Sequence, residues 1–217
     1  MRSVEDSLQR LGLARVDIVY IHDIDRYTQK EEQPRRFREA MDGAYRALER
    51  LRAGGVVKAI GLGVNNWEVC RDALAHGDFD GFLLAGRYTL LEQEALASFL
   101  PLCVEKQVSI VAGGVFNSGI LATGPKPGAV YNYGPAPQPI LDRAAALERV
   151  CQAHGVPLAA AALQFPFACP AVATVVVGAR ASGEVEANTA LLAHQIPSAL
   201  WADLKAERLI AAEAPTP

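Results

Sequence analysis

Short apolar runs alternate with longer amphipathic segments along almost the whole chain. Each run is too short for a buried helix, but it has the length and the Val, Ile, Leu or small-residue content of a strand covered on both faces. The five runs are Val16–His22, Val57–Val64, Gly81–Arg87, Ser109–Phe116 and Val172–Ala179. This alternation predicts β-α units that build a parallel sheet of five strands.

The segments between these runs have helical periodicity. In Arg35–Ala53, apolar residues recur every three or four positions, and the glycines at 54 and 55 are expected to end the helix. The same pattern predicts helices at Trp67–His76, Gln93–Gln107, Ile140–His154, Leu158–Cys169, Glu184–Ala193 and Pro197–Ala212. The irregular stretch Thr123–Pro139 is rich in Gly and Pro, and loops of this length often serve function.

Charge and cysteine content narrow the classes of ligand and location. The net charge is −3, from 21 Lys and Arg against 24 Asp and Glu, without a basic run. This balance argues against a nucleic acid or an anionic membrane as partner, and we expect a small-molecule ligand. The four cysteines form no CxxC pair, which predicts buried thiols in a reducing compartment. Because there is neither a signal-peptide pattern nor a membrane span, the expected location is the cytoplasm.

The spacing of the runs leaves two architectures open. The strands begin on average about 39 residues apart, which suits units of a (β/α)8 barrel that carry insertions. Eight such units would need about 310 residues, and the chain has 217. Residues 1–217 are therefore expected to form a single α/β domain. It would be either an open five-stranded parallel sheet or a partial TIM barrel of strands four to eight with a C-terminal helix.

Four segments, in the same order, resemble the aldo-keto reductase superfamily. The first segment, Ser3–His22, is predicted to form a helix that stops at Gly12 and a strand that ends in His-Asp. The second segment, Gly63–Trp67, resembles the family's Gly-x-Ser-Asn-Phe. The third resembles Ala-Tyr-Ser-Pro-Leu-x-x-Gly-Leu-Leu, and the last resembles the cofactor segment that ends in Glu-Asn. The segments are Ser3–His22, Gly63–Trp67, Val111–Leu121 and Val175–Asn188. Leu83–Gln93 is similar to a subgroup of sugar and pyridoxal dehydrogenases that includes L-fucose and D-threo-aldose dehydrogenases.

The resemblance implies an oxidoreductase that moves hydride between NAD or NADP and an aldose, a lactol or another carbonyl or alcohol. It also implies that Val16–His22 is barrel strand four and that residues 1–217 hold no counterpart of the three earlier strands. By the resemblance, those strands carry the catalytic Asp, Tyr and Lys, so we expect little hydride transfer from this chain. The alternative is a non-catalytic nucleotide-binding or regulatory module derived from the fold.

His22 is the candidate catalytic residue. It ends a predicted strand, where barrel active sites gather, and an imidazole can donate a hydrogen bond to a developing oxyanion. The resemblance gives it the task of positioning the substrate oxygen. Two alternatives are a structural histidine bonded to a backbone carbonyl and, less favoured, a metal site with Asp23 and Asp25 in a barrel hydrolase.

The candidate cofactor residues follow three later strands. The side-chain amides of Asn65 and Asn66 match a carboxamide such as that of nicotinamide, although Asn66 could instead cap the next helix, and Asn65 replaces the family's Ser. By the resemblance, the loop of Phe116, Asn117, Ser118 and Gly119 meets the pyrophosphate. Gly113 stands where many relatives carry a Tyr that stacks on nicotinamide.

The last strand leads into Gly178 and Arg180 and then into a helix whose free N–H groups suit a phosphate. The resemblance assigns Asn188 to adenine, whereas Ala187 replaces the motif's Glu. A simple helix cap with a solvated Arg180 explains the same residues equally well.

Two features concern the surroundings of this site. Tyr131 and Tyr133 in the long loop could line a substrate entrance or, as we favour, anchor the loop. In a five-stranded parallel sheet, Val16–His22 and Val172–Val177 would have bare edges, which favours self-association.

Overall fold

The computed structural model describes residues 2–217; Met1 lies outside them. Five parallel strands form the main sheet, in the order β1-β2-β3-β4-β7. They are β1 (Ile18–His22), β2 (Ala59–Val64), β3 (Gly81–Ala85), β4 (Ser109–Gly113) and β7 (Val172–Val176), and a small antiparallel ribbon is made of β5 (Val130–Tyr131) and β6 (Gly134–Pro135). The predicted α/β class and the five parallel strands are confirmed, and the sheet fits both a partial barrel and an open sheet.

Helices precede, connect and follow these strands. They are α1 (Arg2–Leu11), α2 (Arg26–Gln29), α3 (Gln33–Glu39), α4 (Arg46–Ala53), α5 (Trp67–Leu74), α6 (Phe99–Glu105), α7 (Ile120–Thr123), α8 (Gln138–Ala153), α9 (Leu158–Gln164), α10 (Ser182–Ala193) and α11 (Ser198–Ala206). No helix within residues 2–217 combines the length and the apolar composition needed to cross a bilayer.

Several predicted helices differ in detail from the structure; the one predicted at 197–212, for example, ends at Ala206. Between α3 and α4 the helix widens into a π-helical segment at Ala40–Tyr45. The predicted helix at 93–107 is a 3-10 turn (Glu94–Ala97) followed by α6, because Ser98 adopts a non-helical backbone conformation between them. The last part of the predicted helix at 158–169 is also a 3-10 turn, Phe165–Ala168. Periodicity identified the buried faces, but it did not resolve these local changes of pitch.

The core lies between the sheet and the helices. Alternate strand residues such as Ile60, Leu62, Phe82 and Leu84 are fully buried and pack with apolar residues of the helices. The residues between them in β3, including Leu83, are only half-buried. We expected strands covered on both faces, whereas the helices cover one face more completely than the other. The parallel arrangement brings the carboxyl ends of all five strands to one edge of the sheet, which we call the carboxyl edge.

Candidate functional site at the carboxyl edge

A cavity of about 380 Å³ lies at the carboxyl edge, at the ends of β1, β2 and β3. His22 and Asn65 line it, and Tyr27 and Tyr133 contribute aromatic walls. The His22 side chain is exposed, and its Nε2 lies 3.5 Å from Asp23 Oδ1. Among residues 2–217, the ring makes no hydrogen bond to a backbone carbonyl, so a ring N–H is available to a ligand oxygen.

Asp25 organises the loop after β1. Its carboxylate is fully buried and accepts three backbone hydrogen bonds: from Thr28 N at 2.9 Å, from Asn65 N at 2.5 Å and from Asn66 N at 3.1 Å. Sequence reasoning considered Asp25 only as a metal ligand and missed this role. An Asp three residues before Thr28 is a recognisable N-cap signal for α2, but its bonds to a segment 40 residues away have no local signature.

The two asparagines after β2 point to different places. Asn65 is buried and lines the His22 cavity, and its Oδ1 lies 3.4 Å from the Tyr133 hydroxyl. Asn66 occupies the N-cap position of α5, but its side chain makes no capping bond, because Oδ1 accepts the backbone N–H of Tyr27 at 2.8 Å. Asn66 lines a separate cavity with Glu68 and other polar residues. The structure therefore brings Asn65, and not Asn66, to His22.

A second, smaller cavity of about 140 Å³ adjoins the first and shares Asn65 and Tyr133 with it. Asn117 lines it and is 4% exposed; its Nδ2 donates to the Gly86 carbonyl at 3.3 Å, while its Oδ1 is buried without a partner. Ser118 also lines this cavity. An unpaired buried acceptor is costly, so this amide oxygen suits a ligand that donates an N–H or O–H.

The other two residues of this loop, Phe116 and Gly119, do not line the cavity. Phe116 is half-buried and packs against the core, and Gly119 turns the chain with φ +103°. Gly113 lies in β4, where a Cβ would meet the Leu83 side chain at 3.3 Å. The structure thus brings Asn117 and Ser118 to the cavity, whereas Phe116 and Gly119 support the loop around them.

The long loop folds over the carboxyl edge through the β5–β6 ribbon. The N–H of Tyr133 donates to Ser118 Oγ at 3.1 Å, and the Tyr27 hydroxyl donates to the Asn132 carbonyl at 3.1 Å. The Arg87 guanidinium donates to Asn132 Oδ1 at 2.9 Å. Tyr133 is 70% exposed and lines both cavities, while Tyr131 is half-buried and packs against the core. Tyr131 therefore anchors the loop, and Tyr133 forms a wall of the entrance.

The β7 end holds a separate group of candidate residues. Arg180 is exposed, and both its backbone N–H and its guanidinium donate to Glu184, at 2.7 and 3.2 Å. These bonds lower the pKa of Glu184. Gly178 has open space around it, and Asn188 lines a largely apolar cavity of about 230 Å³ between β7, α9 and α10. The structure does not bring these three residues into the cavities at His22 and Asn117.

Burial raises the pKa of several thiols and of one phenol in residues 2–217. All four cysteines are buried free thiols, as predicted, and burial raises the pKa of Cys103 to about 12 and that of Cys151 to about 11. Burial also raises the pKa of Tyr88, which packs against Phe165 in the core. Within the described residues, no three His, Cys, Asp or Glu side chains are grouped to hold a metal ion.

Comparison with known proteins places the chain in a family. The model of the aldo/keto reductase family matches residues 1–207. Pyridoxal 4-dehydrogenase of Microbacterium luteolum is 43% identical over 212 residues, which are 97% of this chain and 62% of that protein. D-threo-aldose 1-dehydrogenase of a Pseudomonas species is 43% identical over 216 residues, which are 99% of this chain and 62% of that protein.

A solved structure agrees with this assignment at the level of the fold. The holo form of an aldo-keto reductase from Bacillus halodurans superposes with a TM-score of 0.71 at 24% identity, over 98% of this chain and 65% of that one. The chain spans about 62% of the length of the two dehydrogenases. The resemblance found in the sequence motifs is confirmed: the chain belongs to the aldo/keto reductase family.

Proposed function

We propose that residues 1–217 form one domain, corresponding to barrel strands four to eight, of an NAD(P)-dependent oxidoreductase that acts on an aldose, a lactol or another carbonyl or alcohol. The observation that carries this proposal is the pair of adjoining cavities at the carboxyl edge, one lined by His22 and the other by Asn117. The names of the two relatives, a pyridoxal and an aldose dehydrogenase, support the substrate class.

The polar atoms at the carboxyl edge fit a dinucleotide. The unpaired Oδ1 of Asn117 requires a donor, and an amide N–H or a ribose hydroxyl of the nucleotide would supply one. Asn65 would add an amide to the same ligand, because it lines both cavities. When bound, the nicotinamide supplies the carbon that accepts or gives up hydride. Arg180 and Asn188 would have to reach the more distant parts of the nucleotide, and a phosphate at Arg180 would compete with Glu184.

His22 would bind the substrate oxygen. Its imidazole is exposed to the larger cavity, where an N–H can hydrogen-bond a carbonyl oxygen and stabilise the negative charge that develops on it. The Asp23 carboxylate, 3.5 Å from Nε2, would hold one nitrogen of the ring and leave the other as the donor to the substrate oxygen. Tyr27 and Tyr133, which line the same cavity, would contact a substrate bound there.

Activity separates this proposal from a non-catalytic nucleotide-binding module. By family resemblance, residues 1–217 contain no counterpart of the acid/base Tyr and its Lys, so the 217-residue polypeptide is expected to bind nucleotide and to turn over little substrate. Nicotinamide absorbance, followed with L-fucose, other aldoses and pyridoxal, measures turnover. Robust turnover by this polypeptide would show that its own residues suffice for proton transfer.

Nucleotide binding tests the site directly. We expect NADH or NADPH to bind the 217-residue polypeptide, and we expect Asn117→Leu and Asn65→Ala to weaken binding about tenfold, because each removes a buried amide partner. Isothermal titration with each nucleotide measures the affinity and the preference between NAD and NADP. Gln152→Ala, which changes an exposed amide of α8 outside the two cavities, is the matched control. If a folded wild-type polypeptide binds neither nucleotide, the proposed function is wrong.

A further inference from the structure

We propose that Asp25 is a positioning residue that holds the end of β2, and with it Asn65, in the geometry that binds the ligand at the carboxyl edge. This inference rests on the proposed function, because the ligand is taken to be NAD(P). Asp25 itself touches neither cavity lined by His22 or Asn117. It would act only through the backbone that it holds.

The hydrogen bonds of Asp25 join two loops that are far apart in the sequence. Oδ1 accepts the N–H of Thr28 within its own loop, whereas Oδ2 accepts the N–H groups of both Asn65 and Asn66 after β2. The carboxylate is fully buried, so water does not compete for these bonds. Hydrogen bonds between N–H groups and a buried carboxylate are among the stronger ones in proteins.

Two further hydrogen bonds between the same loops run in the opposite direction, with their donors in the loop after β1. Asn66 Oδ1 accepts the N–H of Tyr27, and the N–H of Asp23 donates to the Gly63 carbonyl at 2.9 Å. Together with the bonds to Asp25, these contacts fix the backbone after His22 relative to the backbone of Asn65. The distance between the proposed substrate-oxygen group and the proposed nucleotide group therefore depends on this connection.

Only a carboxylate satisfies this arrangement. Both oxygens face N–H donors, so an amide in the same place would direct its own NH2 group at one or two of those donors, whichever way it is turned. Asp25→Asn keeps the size of the side chain but removes at least one acceptor and the charge. It should displace the end of β2 while leaving the core of the domain intact.

The chain offers a matched control at the other end of the same strand. Asp80 Oδ2 accepts the N–H of Ile60 at 2.8 Å, near the start of β2, and pairs with the Arg52 guanidinium at 2.7 Å. Asp80→Asn therefore also removes a carboxylate that bonds the backbone of β2, but it does so at the amino end of the strand. A purely structural effect should appear in both variants.

The test compares wild type, Asp25→Asn and Asp80→Asn in the 217-residue polypeptide. Circular dichroism and urea unfolding identify conditions under which all three are folded, and titration with NADH and NADPH then measures affinity. We expect Asp25→Asn to lose at least tenfold in affinity and Asp80→Asn to stay within twofold of wild type. In amide NMR spectra, we expect the Asn65 N–H proton to lie downfield in wild type and Asp80→Asn, and to move upfield in Asp25→Asn.

The outcomes separate the two proposals. If wild type binds nucleotide and Asp25→Asn binds it within twofold, the positioning role is wrong although the proposed function stands. If Asp80→Asn loses as much affinity as Asp25→Asn, the effect is general destabilisation and the positioning role is also wrong. If folded wild type binds neither nucleotide, the proposed function fails, and the role of Asp25 toward NAD(P) fails with it.

Discussion

Gly61 shows how little space separates neighbouring strands in this sheet. A Cβ atom at this position would lie 1.9 Å from the Gly81 carbonyl oxygen of β3 and 2.9 Å from the Tyr20 ring of β1. Real Cβ contacts are longer, and the backbone of a central strand cannot move away without breaking its ladder. Glycine is therefore required at position 61, because β3 and the Tyr20 ring of β1 leave no space for a side chain.

Substitution of Gly61 should be clearly destabilising. We expect Gly61→Ala to lower the free energy of unfolding by about 1–3 kcal/mol, the usual range for overpacking. Urea unfolding followed by circular dichroism measures the change. Gly183→Ala in α10, where a Cβ would meet nothing within 4 Å, is the control and should be neutral or slightly stabilising. Equal stabilities of the two variants would contradict the close approach.

At the scale of elements, the β5–β6 ribbon has an unusual tip. Asn132 and Tyr133 have φ values of +50° and +65°, as in the two-residue turns that favour Asn followed by Gly. A tyrosine in this conformation is strained, and its ring is largely exposed. Strain of this kind is tolerated where a side chain serves a site, and Tyr133 lines both cavities at the carboxyl edge.

Stability and binding should therefore respond in opposite directions at Tyr133. We expect Tyr133→Gly to raise the free energy of unfolding by up to about 1 kcal/mol, through relief of the left-handed conformation. The same variant should weaken nucleotide binding, because it removes the wall shared by the cavities. Tyr133→Phe, which keeps the ring and the strain, should change neither property much. A loss of stability in Tyr133→Gly would mean that the ring contact with Tyr27 outweighs the strain.

At the scale of the whole molecule, the important feature is the pair of edge strands of the main sheet. Within residues 2–217, β1 and β7 each pair with one neighbour only, as predicted for the edge strands. Ile18 in β1 is 51% exposed and Val176 in β7 is 49% exposed. Exposed apolar strands with unpaired backbone groups tend to pair with other chains.

We therefore expect the 217-residue polypeptide to self-associate or to aggregate. The double variant Ile18→Lys, Val176→Lys should increase the monomer fraction, because charged side chains oppose edge pairing. Size-exclusion chromatography with light scattering measures this fraction. Val104→Lys is a control with similar exposure, 48%, on helix α6. A wild-type monomer that melts cooperatively would instead favour the open five-stranded sheet.

The sequence by itself determined the order and type of the main elements, because hydrophobic periodicity is a local property. It also placed His22 and Asn65 at one edge, since the carboxyl ends of parallel strands meet there. The motifs that resemble the family identified it correctly, because they record short backbone segments with fixed chemistry.

Only the tertiary structure decided which side chains meet. The direction of a side chain beyond a strand end depends on hydrogen bonds to distant loops, as the bond from Tyr27 to Asn66 shows. Asp25 gained its role from N–H groups 40 residues away, and the Tyr133 wall from a ribbon that folds back over the carboxyl edge. Such contacts follow from packing in three dimensions, and neither residue spacing nor local periodicity contains them.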